Sequence, residues 1–318
     1  MDKNTPTRHV GFVLIDGFAL MSYAAAAEPF RAANLLAGRT LYKISNISVD
    51  GIRAVTSSGA QIPSDQNFDR HDPFDLLFVA AGGNPWTFQN RRTFSFLQRM
   101  AARGTRLGGV SGGPVILARA GLMSERRMTV HWEHAPSLSA FAQDILLERT
   151  LYVIDRDRVT CAGGTAPMDL MHALIAEDHG SEFARRVSDW FLHTEVRPSG
   201  GPQRAGLIER YGTTHPGIIT ALEAMENRIA DPLDLAALAG ITGIGERQLN
   251  RLFSDHLGQT TMTLYRQIRL DTARHLLSGS TLSITEIALA TGFSGSAHFS
   301  RSFREAFAVS PSAFRRKA

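Results

Sequence analysis

Cysteine is almost missing from this sequence, with Cys161 the single example in 318 residues. One thiol cannot form an internal disulfide or supply the paired thiolates of a cysteine-based metal centre, so neither is expected, and no other metal site or cofactor is expected either. Long apolar runs are missing too. The first is broken at Asp16-Gly17, and no stretch approaches the ~18 uninterrupted apolar residues of a membrane helix. The N-terminal Met1-Asp2-Lys3-Asn4-Thr5-Pro6 is polar and lacks the apolar segment of a secretory signal, so a soluble, cytoplasmic protein with no membrane partner is expected. A strong charge of one sign is absent as well, the formal net charge being +4. The small excess is unevenly placed, because from Arg274 onward six Lys or Arg face two Glu. A basic C-terminal end suits a polyanion such as DNA.

That end of the chain also carries a repeated pattern. Leu235 to Leu238 form an apolar helical face that stops at Gly240, and Leu249, Leu252 and Phe253 follow after a short turn: helix, turn, helix. In the second helix Arg247, Asn250 and Arg251 lie at i, i+3 and i+4, on the face opposite the apolar set. About fifty residues later, Ile284, Ile287 and Ala288 pack a first helix, Gly292 breaks it, and Phe299 and Phe303 bury a second. Ser296 and Ala297 open this second helix, and His298, Arg301 and Arg304 occupy its free face. Leu264 to Leu277 reads as an amphipathic spacer with Leu264, Ile268, Ala273, Leu276 and Leu277 inward. Two such heads on one spacer would enter successive major grooves of double-stranded DNA about 34 Å apart. Arg pairs bidentately with guanine and Asn with adenine, whereas phosphate contacts fix register without reading sequence. The DNA-binding candidates are therefore Arg247, Asn250, Arg251, Ser296, Ala297, His298 and Arg301.

The length accommodates two domains with separate cores. Arg197-Pro198-Ser199-Gly200-Gly201-Pro202 is the clearest linker signal. We place a sensor-type domain at 8–193, a linker at 194–213 and a DNA reader at 214–318. Upstream of the linker, strand-like runs (Val10 to Ile15, Ile44 to Val49, Leu76 to Ala81, Leu107 to Val110, Tyr152 to Ile154) alternate with helical stretches (Met21 to Leu36, Phe94 to Arg103, Pro114 to Ala120, Met168 to Glu177). Such alternation predicts an α/β domain with a mostly parallel sheet. Gly109, Ser111 and Gly113 match G-x-S-x-G, a strand-turn-helix elbow. Two readings stay open at this point. Ser111 is a nucleophile with His131 as base and Glu28 as orienting group, giving a serine-dependent hydrolase or amidase; or the turn presents a hydroxyl to a bound ligand.

The C-terminal segment from about Pro216 to Lys317 resembles the AraC-type DNA-binding domain through Arg247-Gln248-Leu249-Asn250-Arg251-Leu252-Phe253, Arg269-Leu270, Ala273-Arg274, Ile287-Ala288, Gly292-Phe293, His298-Phe299-Ser300-Arg301 and Ser310-Pro311. It departs from the pattern at Gly245 and Gly295, where a capping Ser or Asp is usual, and at Thr261 and Ala308, where Pro and Gly are usual. Residues from about His9 to Trp190 resemble the ThiJ/PfpI, class I amidotransferase-like domain of GlxA-like regulators. This rests on Glu28 in Ala27-Glu28-Pro29, Gly82-Gly83-Asn84, Gly109 to Pro114, Thr129-Val130-His131-Trp132-Glu133 and Thr160 to Ala166. The resemblance implies a flavodoxin-like fold joined to an all-α domain with two helix-turn-helix units. It further implies a homodimeric, non-enzymatic transcription regulator that works with RNA polymerase, an activator of catabolic genes responding to a betaine, carnitine or amino acid. A cysteine is usual at the elbow of that superfamily; here Ser111 stands there. Ligand-binding candidates are Glu28 for a cationic nitrogen, Gly83, Ser111 and Gly112 for a carboxylate, Asn84, His131 and Trp132, and Trp86 for cation–π attraction.

Overall fold

The structure, a computed structural model, describes residues 6–142, 144–280 and 282–317; the reading of the N-terminus as lacking a signal segment falls largely on residues 1–5, outside these. Two compact units divide the chain, Met1–Gln203 and Arg204–Ala318.

The first unit runs β1 (Arg8–Leu14), α1 (Leu20–Ala37), β2 (Tyr42–Ser48), β3 (Arg53–Val55), β4 (Gln61–Pro63), β5 (Leu76–Ala81), α2 (Arg91–Ala102), β6 (Arg106–Ser111), α3 (Gly113–Arg119), β7 (Arg127–Met128), α4 (Ala135–Phe141), β8 (Leu146–Leu147), β9 (Tyr152–Asp155), β10 (Arg158–Cys161), α5 (Ala166–His179) and α6 (Ser181–Trp190). Among the described residues, a six-stranded sheet has the order β2-β1-β5-β6-β10-β9. It is parallel except at the β9–β10 hairpin. Central β5 is buried at every position, which is what a parallel strand covered on both faces requires. Its side chains alternate between two cores. Phe78 joins Phe12, Phe30, Leu170 and Phe183 on one face, while Leu77 and Val79 join Phe96, Leu97 and Ile116 on the other. Every strand and helix expected here is present within a few residues, whereas the short β3, β4, β7 and β8, together with β10, α4 and α6, were not anticipated.

The 194–213 stretch, expected as a linker, is instead largely tied down. Asp169, fully buried, accepts from the Arg197 backbone N–H (2.8 Å), Arg197 Nη2 (2.7 Å) and His193 Nε2 (2.8 Å). Leu151 N–H donates to Ser199 O (2.9 Å), and Gln203 Nε2 donates to Thr150 O (2.7 Å) and Val130 O (3.1 Å). The Pro- and Gly-rich composition marks a passage between units, not slack chain.

The second unit contains α7 (Leu207–Tyr211), α8 (Pro216–Asn227), α9 (Leu235–Thr242), α10 (Glu246–Leu257), α11 (Thr261–Gly279), α12 (Ile284–Ala290), α13 (Ser296–Phe307) and α14 (Pro311–Lys317). It has two cores. Leu264 and Tyr265 of α11 join Leu222, Leu238, Leu249 and Phe253, while Leu270, Ala273 and Leu277 of the same helix join Ile287, Phe299 and Phe303. The expected spacer is thus a beam shared by both motifs. α9 does not stop at Gly240 but continues to Thr242, and the turn residue is Gly243 at φ 67°. One interior glycine costs a helix only about 1 kcal/mol, whereas a left-handed C-terminal residue strongly favours glycine. In the second motif Gly292 is required twice over. Its φ is 72°, and a Cβ there would lie 2.6 Å from Pro232 Cδ and 2.7 Å from Ile229 O. The Tyr265 hydroxyl pins the same 228–233 loop by donating to Arg228 O (2.5 Å) and accepting from Leu233 N–H (3.3 Å).

Candidate functional site

In the second unit, α10 begins after Gly245 and α13 after Gly295, the two expected cap positions, and neither glycine supplies a side-chain cap. Leu249 and Phe253 bury one face of α10, leaving Arg247 and Arg251 exposed, with Gln248 exposed beside them. Phe299 and Phe303 do the same for α13, leaving Ala297, His298, Arg301 and Arg304 exposed and Ser296 half-buried. His298 is steadied edge-on against Phe293, with ring centroids 5.4 Å apart. Asn250 differs from its neighbours. It is half-buried, and its Oδ1 accepts the Thr261 backbone N–H at 3.1 Å, so one arm of the amide expected to face DNA is held by the start of α11.

Arg269, which sequence reasoning carried only as part of a resemblance, holds the second motif in place. Its Nε donates to Thr291 O (2.8 Å) and its Nη2 to Gly292 O (2.5 Å), while the guanidinium lies 4.4 Å from the Phe293 ring centroid. These carbonyls close the C-terminus of α12, where backbone acceptors lack helical partners and a cation is favoured. Burial lowers the pKa of this guanidinium, and an arginine remains charged regardless.

In the first unit the candidate cleft lies at the carboxyl ends of the parallel strands. Ser111 ends β6 at φ 59°, a left-handed value that puts the side chain on a sharp elbow. The glycines around it allow close packing: a Cβ on Gly113 would sit 2.0 Å from Val79 O, and one on Gly109 2.6 Å from Pro114 N. Ser22 of α1 faces the same place. A Cβ on Gly163 would lie 2.8 Å from Ser111 Cβ and 2.9 Å from Ser22 Oγ, and Gly164 N–H donates to Ser22 Oγ (2.8 Å). Ser22 was not among the expected ligand contacts and sits on the buried face of an alanine-rich helix.

Several expected ligand contacts are placed otherwise. The Gly112 N–H, expected to meet a carboxylate, donates to Ala81 O (3.0 Å). Glu28, expected to face a cationic nitrogen, pairs with Arg31 (2.6 Å) on a half-exposed stretch of α1. Six residues beyond Ser22, it is about 9 Å along the helix and turned about 240° away. Trp86 is buried in the core against Phe141, ring centroids 5.2 Å apart, because Asn84 accepts its backbone N–H and folds a short turn inward. Gly83 is exposed at φ 56°. His131 stays at the surface, its Nδ1 3.6 Å from Glu133 and its ring 5.4 Å from Trp132. The Ser111 hydroxyl makes no hydrogen bond to His131 or to any other described residue. Cys161, one strand away, is fully buried, and burial pushes its thiol up to about 12. Among the described residues no His, Cys, Asp or Glu cluster could hold a metal ion, and no helix is long and apolar enough to cross a membrane.

A mostly parallel sheet domain joined to two helix-turn-helix motifs that share one beam and expose basic second helices defines a sequence-specific DNA-binding transcription regulator. Residues 8–177 match the DJ-1/PfpI family and residues 238–317 match a helix-turn-helix domain. The chain is 45% identical to the HTH-type transcriptional regulator GlxA of Rhizobium meliloti over 98% of its own length and 96% of that protein. It is 37% identical to the HTH-type transcriptional regulator GbdR of Pseudomonas aeruginosa over 97% of its own length and 84% of that protein. A crystal structure of an AraC family transcriptional regulator from Pseudomonas putida, 26% identical, matches with a TM-score of 0.52 over 58% of this chain and 99% of that one. The chain belongs to the family of HTH-type transcriptional regulators that join a DJ-1/PfpI domain to an AraC-type DNA-binding domain.

Proposed function

We propose that the protein switches promoter activity in response to a small zwitterionic amine, such as a betaine, carnitine or an amino acid, held in the Ser22–Ser111 cleft. One observation carries this reading: Ser111 and Ser22 both approach Gly163 at the strand ends, where a Cβ would lie 2.8 Å from Ser111 Cβ and 2.9 Å from Ser22 Oγ, and the Ser111 hydroxyl makes no hydrogen bond among the described residues. A hydroxyl both donates and accepts, which suits a carboxylate at neutral pH. In this reading Gly83 and His131 serve the carboxylate, and Trp132 with Glu133 offers an aromatic face and an anion to the methylated or protonated nitrogen. Glu28 and Gly112 are left out, their polar groups being engaged elsewhere.

DNA is read by Arg247, Asn250 and Arg251 on α10 and by Ser296, Ala297, His298 and Arg301 on α13, within a reader spanning 214–318 and controlled by the domain at 8–193. The regulator acts in the cytoplasm as a homodimer, contacts RNA polymerase and activates catabolic genes. We assign it no turnover. A serine attacks only when a base takes its proton, and Ser111 has no such hydrogen bond.

The test is thermal unfolding of the full chain with glycine betaine, dimethylglycine, carnitine or arginine, beside Ser22→Ala and Ser111→Ala. A ligand at about 100 times its Kd adds about 2.7 kcal/mol. The reading expects one compound to stabilise wild type and neither variant. Stabilisation of all three proteins alike would place the ligand elsewhere, and ester or amide cleavage lost in Ser111→Ala would restore the hydrolase.

A further inference from the structure

Asn250 bears on which base the first reading helix selects. Thr261 is the first residue of α11, a position whose N–H has no partner within its own helix. Proline is favoured at such a position because it brings no N–H to satisfy. Here threonine leaves a donor in a fully buried place, and the Asn250 side chain of α10 meets it at 3.1 Å. A backbone N–H can only donate, so the atom facing it must be Oδ1, and this fixes which way round the amide stands. The bidentate pairing of asparagine with adenine uses both arms at once, Oδ1 accepting from N6–H and Nδ2 donating to N7. Oδ1 keeps a second lone pair, but the amide is anchored at Thr261, and turning it to face a base squarely with both arms would break that bond and strand a buried N–H, a cost comparable to the discrimination gained.

We propose that Asn250 reads DNA as a donor only, through Nδ2, and therefore favours an edge that offers acceptors alone over adenine, whose N7 acceptor stands beside an N6–H that would be left unpaired, with Thr261 setting that polarity. The acceptor is a guanine O6 or N7 or a thymine O4 in the major groove, or a phosphate oxygen beside it. Thr261 touches no DNA in this scheme and is a positioning residue. The proposal rests on α10 being a reading helix.

The experiment is selection of duplexes from a random pool by the full chain, followed by affinity measurement, for wild type, Asn250→Ala, Asn250→Asp and Thr261→Pro. The backbone is ready for proline, because Thr260 has φ −72° and ψ 157°, the extended region that a residue preceding proline adopts. Melting curves check that each variant folds. In wild type, guanine or thymine is expected at one position and is lost in both Asn250 variants, since aspartate keeps the bond to Thr261 but has no donor. Thr261→Pro frees Oδ1 and is expected to raise the preference for adenine at that position by about 5- to 150-fold, the range of one good bidentate pair. Uniform weakening in the Asn250 variants with an unchanged base profile supports donor-only contact with a phosphate oxygen. Adenine already preferred by wild type and lost in Asn250→Ala overturns the proposal. So does an Asn250→Ala protein with unchanged profile and affinity, or a Thr261→Pro protein that retains the wild-type base where Asn250→Ala loses it. Failure of wild type to select any sequence removes the reading helix itself, a result distinct from selection of adenine.

Discussion

Replacing Arg269 with alanine tests how the second reading helix is held. The side chain gives two charge-assisted hydrogen bonds, to Thr291 O and Gly292 O, and lies over the Phe293 ring. Each such hydrogen bond contributes about 1.5–3 kcal/mol and the cation–π contact about 0.5–2 kcal/mol. Against these stands the cost of partly burying a guanidinium, several kcal/mol before compensation. A net loss of about 2–3 kcal/mol follows, enough to lower the melting temperature of a unit of this size by about 8–12 °C. The same change frees the turn between α12 and α13, so DNA affinity should fall although Arg269 lies away from the exposed face of α13. Urea unfolding of the full chain and binding to a selected duplex measure the two effects. Arg266→Ala, an exposed neighbour on α11, is the control and should stay within about 0.5 kcal/mol. A loss below 0.5 kcal/mol in Arg269→Ala with DNA binding intact would show that the turn is held by Gly292 and the core alone.

Arg251→Ala and Arg301→Ala should each weaken binding to a selected duplex by about 1–3 kcal/mol, with wild-type folding; both variants binding like wild type would move the reading faces elsewhere. Arg197→Ala leaves Asp169, a fully buried carboxylate, with His193 as its remaining side-chain partner. The stability lost should fall near the low end of the ~3–5 kcal/mol for breaking a buried pair, seen in the unfolding of the first unit and as hydrogen exchange opening at residues 193–203. Burial also depresses the pKa values of His9, His172 and His179 below the usual imidazole value of about 6.5. The unfolded chain then binds protons that the folded chain refuses, so stability is whole above pH ~6.5 and falls as pH drops through the depressed values. Melting followed from pH 8 to 5.5 should show that decline, and a flat profile would contradict it.

Periodicity made the helices of the second unit and the parallel strands of the first legible, because a buried face repeats every two residues in a strand and about every 3.6 in a helix. Leu249 with Phe253 and Phe299 with Phe303 mark the inner faces, and by subtraction they expose Arg247, Arg251, His298 and Arg301. Contacts between distant residues left no such mark. Ser22 was not expected to meet a ligand, and its meeting with Gly163 and Gly164 depends on where α1 crosses the ends of β6 and β10. Asn250 was expected on the reading face from its spacing, but its partner is eleven positions away on another helix, and only the packed structure shows which arm of the amide is taken. Glu28 is the opposite case. A charged residue in an otherwise apolar helix invites a role, yet Arg31 one turn on satisfies it locally, as i,i+3 pairs do. Backbone accounting likewise redirects Gly112, whose amide the neighbouring strand claims.

Ser111 brings stability and recognition into opposition at one residue. A non-glycine residue at φ 59° carries about 1–2 kcal/mol of strain, which the surrounding packing sustains. If the hydroxyl were only a structural filler, glycine would serve better, since it adopts this conformation freely and the sheet and α3 already approach each other through Gly109 and Gly113. Ser111→Gly relieves the strain and adds unfolded-chain entropy of about 0.5–1 kcal/mol, for a net change between zero and about +1 kcal/mol in the ligand-free protein. Removing Oγ also removes one of the two hydroxyls assigned to the ligand. The sensing role therefore expects a variant at least as stable as wild type that no longer gains stability from the zwitterion that stabilises wild type. A variant that loses stability and still responds to the ligand would assign the hydroxyl to the fold and place recognition on other groups in the cleft.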